Sequence, residues 1–496
     1  MTAKHEHPRQ KHRTPAGGPG PRGWHCASGG WEEAIQEPPE WRGSTIQVCG
    51  LWPFAVGSGT PMVGVPMGRH LFTGSTLCCD PISWFTRAHL ISNPSAFVLG
   101  KPGLGKSTVI RRWAVGLSGY GVIPMFLGDV KAEHIDVVRA LGGQVIPLGY
   151  RRGSINVLDP GGALGSLERL AGAKRKELAA IIHSRRRNMI GGLIAIVRGS
   201  QPTDRESTII DRALRVLDDR FGTKPPVMSD LLQVVRDAPE QLRAVALDRG
   251  DMDRYRQIVE NLEVSLIALS GSGSFGDLFS RQTSETMRPD RPVVFDISAI
   301  GESDGTVRAA ALLACWDAGF CTVDAAHILA EAGLEPMRHY FIIMDELWQA
   351  LRSGSGMVDR VDAVTRLNRS FGVGQALISH TMSDLMSLPT EMDRMKAQGF
   401  VERSGMVVCG GLPAKEMPLL NQAVSLSQRE QQLLASWQDP PAWDSRLGVE
   451  AEPPGRGKFL VKVGGRPGIP FHLDLTDAER HINDTNRLWH TEGNQV

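Results

Sequence analysis

The chain has almost no net charge: 55 Lys+Arg stand against 54 Asp+Glu in 496 residues, a formal +1. That balance gives no bulk case for a nucleic-acid or membrane-surface binder, although a local basic patch is compatible with it. Paired cysteines are missing as well. The seven cysteines are scattered with no C-x-x-C, and Cys78 and Cys79 are adjacent. That pattern predicts buried thiols rather than a disulfide framework or a zinc site, and a reduced, cytoplasmic compartment. No unbroken run of about 18 apolar residues occurs, so a membrane-spanning helix is not expected. The longest runs, "MIGGLIAIV" and "AAALLACW", are short. The N-terminus carries Lys4, Arg9, Lys11 and Arg13 without an apolar stretch behind them, which does not read as a secretory signal. Nor is there a repeat with a period of about 20–50 residues.

What remains is ordinary globular protein, 41% hydrophobic and 22% charged, long enough for two or three domains. Residues 1–42 are rich in His, Pro and Gly and read as a disordered tail, in which His5, His7 and His12 are better explained as solvated than as metal ligands. Residues 43–94 alternate short apolar runs with Gly and Pro, as in "STIQVCGLWPF", "MVGVPMG" and "STLCCD", and predict a short β-rich lead-in. From 95 to 166 short apolar runs alternate with helical segments, which implies a parallel sheet and an α/β class.

Between 167 and 280 strand signals vanish and helical periodicity takes over. Thr203 and Glu206 form a T-x-x-E capping box ahead of the stripe Ile209, Ile210, Ala213, Leu214, Val216 and Leu217, with Gly222 placed to stop the helix. Ser229 is the expected cap of the next helix, and a third runs past Tyr255, Ile258, Leu262 and Leu266. Sheet signals return over 281–496 in "PVVFDIS", "HYFIIMDE" and "GQALISH", followed by two strands and a terminal helix.

The chemistry starts at "FVLGKPGLGKSTVIRRW". Gly100, Lys101, Pro102, Gly103, Leu104, Gly105, Lys106, Ser107 and Thr108 fit G-x-x-x-x-G-K-[ST] between an apolar run and a helix-compatible run. The glycines let backbone N–H groups turn toward phosphates and the helix adds its positive end. Lys106 is placed to reach the β- and γ-phosphates and Ser107 to ligate Mg²⁺. The partner motif is "YFIIMDELW". A buried strand ending in Asp345 can orient the metal, and Glu346 beside it can polarise the attacking water. Without the phosphate loop, the same two carboxylates would read as caps of a following helix.

His380 ends the strand "GQALISH", where ligands of parallel sheets collect, and is a candidate γ-phosphate sensor; capping the next helix is the competing reading. Arg366, Arg369 and Arg403 are candidates for an arginine finger acting on a neighbouring subunit. Gly271, Gly273 and Gly276 match G-x-G-x-x-G but follow a helical stripe, so they read as a hinge rather than a dinucleotide site.

In this order the motifs resemble the HerA–FtsK superfamily, and within it the TraC-type ATPases of conjugation and type IV secretion. The resemblance runs from about Val65 to Trp489. It includes "GRHLFTGSTLCCDPISWFTRAHLISNPSAFVLG", Asp129 and Glu133 of "GDVKAEH", "LGGQVIPLG" with "NVLDP", "FGDLF", "VVFDIS" around Asp296, and the Asp345–Glu346 pair. It implies a RecA-like P-loop core, mostly parallel and interrupted by an all-helical insertion, with ATP and Mg²⁺ bound between the subunits of a hexameric ring. It also implies membrane components of a transfer channel as partners, and a cytoplasmic site that includes the inner face of the cell membrane. Two departures stand out. Ser379 and His380 replace the Thr-Gln that usually ends the sensor strand, and fewer than 100 residues precede the core where the family has a substantial domain. The reading favoured is a Mg²⁺-dependent ATP-driven motor of conjugation or secretion. Its alternatives are a DNA-pumping translocase or coupling protein, with DNA as partner, and a slow-turnover nucleotide-dependent scaffold.

Overall fold

The computed structural model describes residues 24–25, 31–32, 60–271, 274–301, 303–352, 357–365, 372–440, 443–444, 449–450 and 452–482. The expectations attached to "STIQVCGLWPF", Gly273, Arg366, Arg369 and the last half of the terminal helix lie outside these residues. The chain divides into two units, Met1–Val56 and Gly57–Val496. Of the first, the described part is a short antiparallel pairing of Trp24–His25 with Trp31–Glu32.

The second unit is built on an eleven-stranded sheet. Its strands, in chain order, are β1 (Pro66–His70), β2 (Thr76–Cys78), β3 (Ser95–Leu99), β4 (Val122–Asp129), β5 (Gln144–Pro147), β6 (Val293–Asp296), β7 (His339–Met344), β8 (Val373–Ile378), β9 (Met406–Cys409), β10 (Lys458–Lys462) and β11 (Ile469–Leu473). The spatial order is β2-β1-β11-β10-β9-β3-β8-β7-β4-β6-β5. From β9 to β5 every pairing is parallel, whereas β10, β11, β1 and β2 extend the sheet in antiparallel fashion. The class is α/β with a mostly parallel sheet.

Both faces of the sheet are covered, as parallel sheets require, and the strands read as apolar runs rather than alternations. In β3, Ala96 and Val98 join one core with Val109, Ile110 and Trp113 of the Lys106–Gly119 helix. Phe97 and Leu99 point the other way, into a core shared with Ile190, Leu193, Leu214 and Leu266. Phe341 of β7 meets Trp113 edge-on with ring centroids 6.2 Å apart, an arrangement the ring quadrupoles favour.

Residues 172–271 carry no strand. Helices Gly172–Arg198, Asp204–Phe221, Met228–Asp237, Glu240–Ala246 and Met252–Ser270 pack on one another. The Thr203–Glu206 box is formed in both directions, and Gly222 ends its helix. Ser229 does not cap the following helix. The Asp230 carboxylate accepts the Val227 N–H at 2.8 Å instead, because the helix starts at Met228 and leaves Ser229 inside the first turn.

The segment "AAALLACW" belongs to a longer helix, Gly305–Glu331, which by length and composition could cross a membrane. Arg308, Asp317, Asp324 and His327 interrupt its apolar stretches, which is why no long apolar run announced it. In the fold, 94% of its most apolar window is buried inside the protein, so it serves as the core's central helix. Gly319 lets it lie against β4: a Cβ there would come within 2.5 Å of the Leu127 side chain. Cys78 and Cys79 are both buried thiols, as expected.

Candidate functional site

Three neighbouring strands, β3, β8 and β7, bring the site together at their C-terminal ends. The phosphate-loop sequence follows β3. Gly103 and Gly105 take φ values of 82° and 101°, which a side chain would strain, and Gly105 leads straight into the Lys106–Gly119 helix. That helix starts with no side-chain cap and no acidic residue in its first turn, so its N–H groups and dipole are left for an anion. The loop is anchored from both sides: Gly100 N–H donates to the His380 carbonyl at 3.0 Å and Lys101 N–H to the Gly411 carbonyl at 3.1 Å.

Lys106 is 8% exposed, and its ammonium donates to the Gly100 carbonyl at 2.5 Å, folded across its own loop. Burial pushes its pKa down to about 8, against the pull of Asp345 and Glu346. Ser107 is half-buried beside it. An unprotected helix end, glycines in left-handed backbone and a desolvated ammonium fit a nucleotide's phosphates. Among the described residues no cluster of three or more His, Cys, Asp or Glu could cage a metal. A Mg²⁺ site here would therefore combine Ser107 and Asp345 with phosphate oxygens, in keeping with how that ion binds.

Asp345 follows β7, partly open to solvent. One oxygen accepts the Glu346 N–H at 2.8 Å and the other lies 3.8 Å from Nε2 of the buried His134. Glu346 takes φ 51°, a left-handed conformation that costs a branched-Cβ-free residue on the order of 1 kcal/mol. Its carboxylate is only 4% exposed and fully engaged. Lys131 Nζ donates to Oε1 at 2.8 Å, and Trp348 Nε1 donates to Oε2 at 2.6 Å. His380 Nε2 lies 3.2 Å from the same Oε2. Burial alone would raise this carboxyl, but His380 and Lys131 outweigh it and hold it well below the usual carboxylate range. On the other side of the pair, burial works to lower Lys131, and the bond to Glu346 raises it above its ordinary value.

His380 thus sits at the site and bonds to Glu346. Arg403 does not join the cluster. It precedes β9, and its carbonyl accepts from Asn93 ahead of β3, which puts it at the edge of the sheet opposite its own phosphate loop. Its guanidinium is paired with Asp362 at 2.7 Å. Arg369 lies outside the described residues.

Lys131, His134 and Trp348 contact the Asp345–Glu346 pair of the candidate site and carry no signal in the motifs above. The nearest signal was "GDVKAEH", read for Asp129 and Glu133. Asp129 turns out to be buried and to accept the N–H groups of Lys131, Glu133 and His134, so it shapes the loop that delivers Lys131. Delivery to Glu346 follows from the parallel pairing of β4 with β7, which no local motif records.

No protein-family profile matches the chain, and no curated protein does. Solved structures do. VirB4 of Thermoanaerobacter pseudethanolicus superposes with a TM-score of 0.61 at 17% identity, over 86% of this chain and 99% of that one. The plasmid coupling protein TrwB in complex with the ATP analogue ADPNP gives 0.47 at 15% identity over 79% and 87%, and TrwB in complex with ADP and Mg²⁺ gives 0.45 at 14% over 77% and 86%. This chain and VirB4 thus share a fold, the α/β architecture with a mostly parallel sheet that the sequence motifs led one to expect.

Proposed function

We propose that the chain is a Mg²⁺-dependent ATPase motor of a conjugative-transfer or type IV secretion-like system. The observation that carries this is the convergence of an uncapped phosphate loop, a partly exposed Asp345 and a buried, hydrogen-bonded Glu346 on three adjacent strands, in a chain that shares its fold with VirB4 over most of its length. Lys106 and the loop N–H groups would hold the β- and γ-phosphates; Ser107 and Asp345 would hold the metal. Bound Mg²⁺ would neutralise charge on the phosphate oxygens during transfer. Glu346 would orient the attacking water and accept its proton, and His380 and Lys131 would position the carboxylate. Arg403 and Arg369 are the arginines proposed to act on a neighbouring subunit's nucleotide, in a homo-hexamer docked on membrane components at the inner face of the cell membrane.

One observation favours a second reading, a slow-turnover nucleotide-dependent scaffold. A carboxylate with both oxygens engaged and its pKa held down is a weak proton acceptor, since general bases work best with a pKa near the operating pH. Turnover would then wait on a contact that loosens Lys131 or His380. The test is steady-state ATP hydrolysis by the full chain, with and without Mg²⁺, with oligomeric state followed by light scattering. Mg²⁺-dependent phosphate release with an ATP-stabilised ring supports the motor. Tight ATP binding and a ring with negligible turnover, even with candidate channel components added, supports the scaffold. No ATP binding overturns both.

A further inference from the structure

Beside Glu346, lined by none of the residues of the phosphate loop, lies a cavity of about 620 Å³. Its walls carry Lys131, Arg308 and Arg352, three cations against the single carboxylate of Glu346, which is already matched by Lys131. Arg308 is the decisive residue. It is 7% exposed, its Nη2 donates to the Ile300 carbonyl at 3.0 Å, and its buried Nε has no hydrogen-bond partner. Among the described residues no carboxylate pairs with it, although a buried guanidinium without a counter-charge is costly. Arg352 also lacks a carboxylate partner among them and lies over the Trp348 ring, 5.6 Å from its centroid. Gly305 and Thr306 add the start of the Gly305–Glu331 helix, whose N-cap residue Asp304 makes no side-chain capping bond and whose first turn carries no acidic residue.

A buried unmatched arginine, a second guanidinium and an open helix N-terminus converge on one class of ligand, a tetrahedral oxyanion. We propose that this cavity is a second phosphate-group site, separate from the phosphate loop, and that it takes inorganic phosphate. The choice of inorganic phosphate rests on the ATPase reading above: Glu346 and His380 line the cavity and also border the place where the terminal phosphoryl group would be transferred to water. The anion is thus taken up beside the residues proposed to activate the water. A nucleic-acid backbone offers the same chemistry, and the test separates the two sources.

The experiment is titration of the full chain with inorganic phosphate, followed by calorimetry, in the presence of saturating ADP and Mg²⁺ to fill the phosphate loop. Saturable binding is expected, weakened about tenfold or more by Arg308→Gln and by Arg352→Ala. Arg352 is exposed, so its variant serves if Arg308→Gln fails to fold. Displacement of the bound phosphate by a short single-stranded oligonucleotide would assign the site to a nucleic-acid backbone; failure to displace it would assign the site to the free anion. No phosphate binding with ADP in place, or binding unchanged in Arg352→Ala and in folded Arg308→Gln, overturns the proposal and leaves the ATPase reading standing. If ADP itself does not bind, the ATPase reading fails, and the same two variants still decide whether any phosphate binding belongs to the cavity.

Discussion

The phosphate loop and the Glu346 corner lie at the ends of adjacent parts of one sheet, yet they are held by different means. The loop is made by backbone: glycines in left-handed conformations, a helix end, and hydrogen bonds from Gly100 and Lys101 to the carbonyls of His380 and Gly411. The corner is made by side chains, with Lys131, Trp348 and His380 converging on one carboxylate from three stretches of chain. A backbone device is specified by consecutive residues. A side-chain cage is specified by which strands lie side by side.

The largest effect is expected at Lys106. Lys106→Ala removes the one side chain the loop depends on, and ATP turnover is expected to fall by about 10²–10³-fold, with nucleotide binding weakened in the same titration. If binding survived intact, the loop would hold phosphate through its backbone alone.

The second effect concerns pH. Lys106 has its pKa lowered to about 8 when no phosphate is bound, and an anion beside it would raise that value. Nucleotide binding then takes up a proton above pH 8, so affinity is constant below that point and falls by up to about tenfold per pH unit above it. The dissociation constant of Mg-ADP measured across this range checks the slope, and Lys106→Arg should remove the inflection.

Lys131→Met acts on the side-chain cage around Glu346. Removing the donor on Oε1 lets the Glu346 pKa rise toward its ordinary value. A lowered folded pKa gives stability that is present above the unfolded value and lost as pH falls through the folded one. In the variant, both that acid loss and the acid limb of ATP turnover move to higher pH, by about one unit. An unchanged limb would mean that His380 and Trp348 suffice to hold the carboxylate.

The smallest effect lies away from the site. Thr203→Ala removes the cap of the Asp204–Phe221 helix and should cost about 1 kcal/mol in chemical denaturation while leaving turnover unchanged.

The same distinction explains what could be read in advance. The α/β class followed from apolar runs alternating with helical segments, and the capping box at Thr203 was visible because its partners are three residues apart. Ser229 was misread because a serine ahead of a stripe looks like a cap until Asp230 is seen reaching back to Val227. The Gly305–Glu331 helix hid its length because Asp317 and Asp324 break its apolar stretches. Lys131 and Arg308 were not legible at all. Each matters only because β4 lies next to β7 and β6 next to β4, and the order of strands in a sheet leaves no mark on the residues within any one of them.

The most direct test is single-turnover cleavage of bound Mg-ATP by the wild-type chain and by Glu346→Gln, with nucleotide affinity measured on the same samples. The account predicts affinity within a few-fold of wild type and cleavage slower by about a hundredfold or more. Equal cleavage in the two proteins would contradict it, because Glu346 would then be neither the base nor the residue that orients the water.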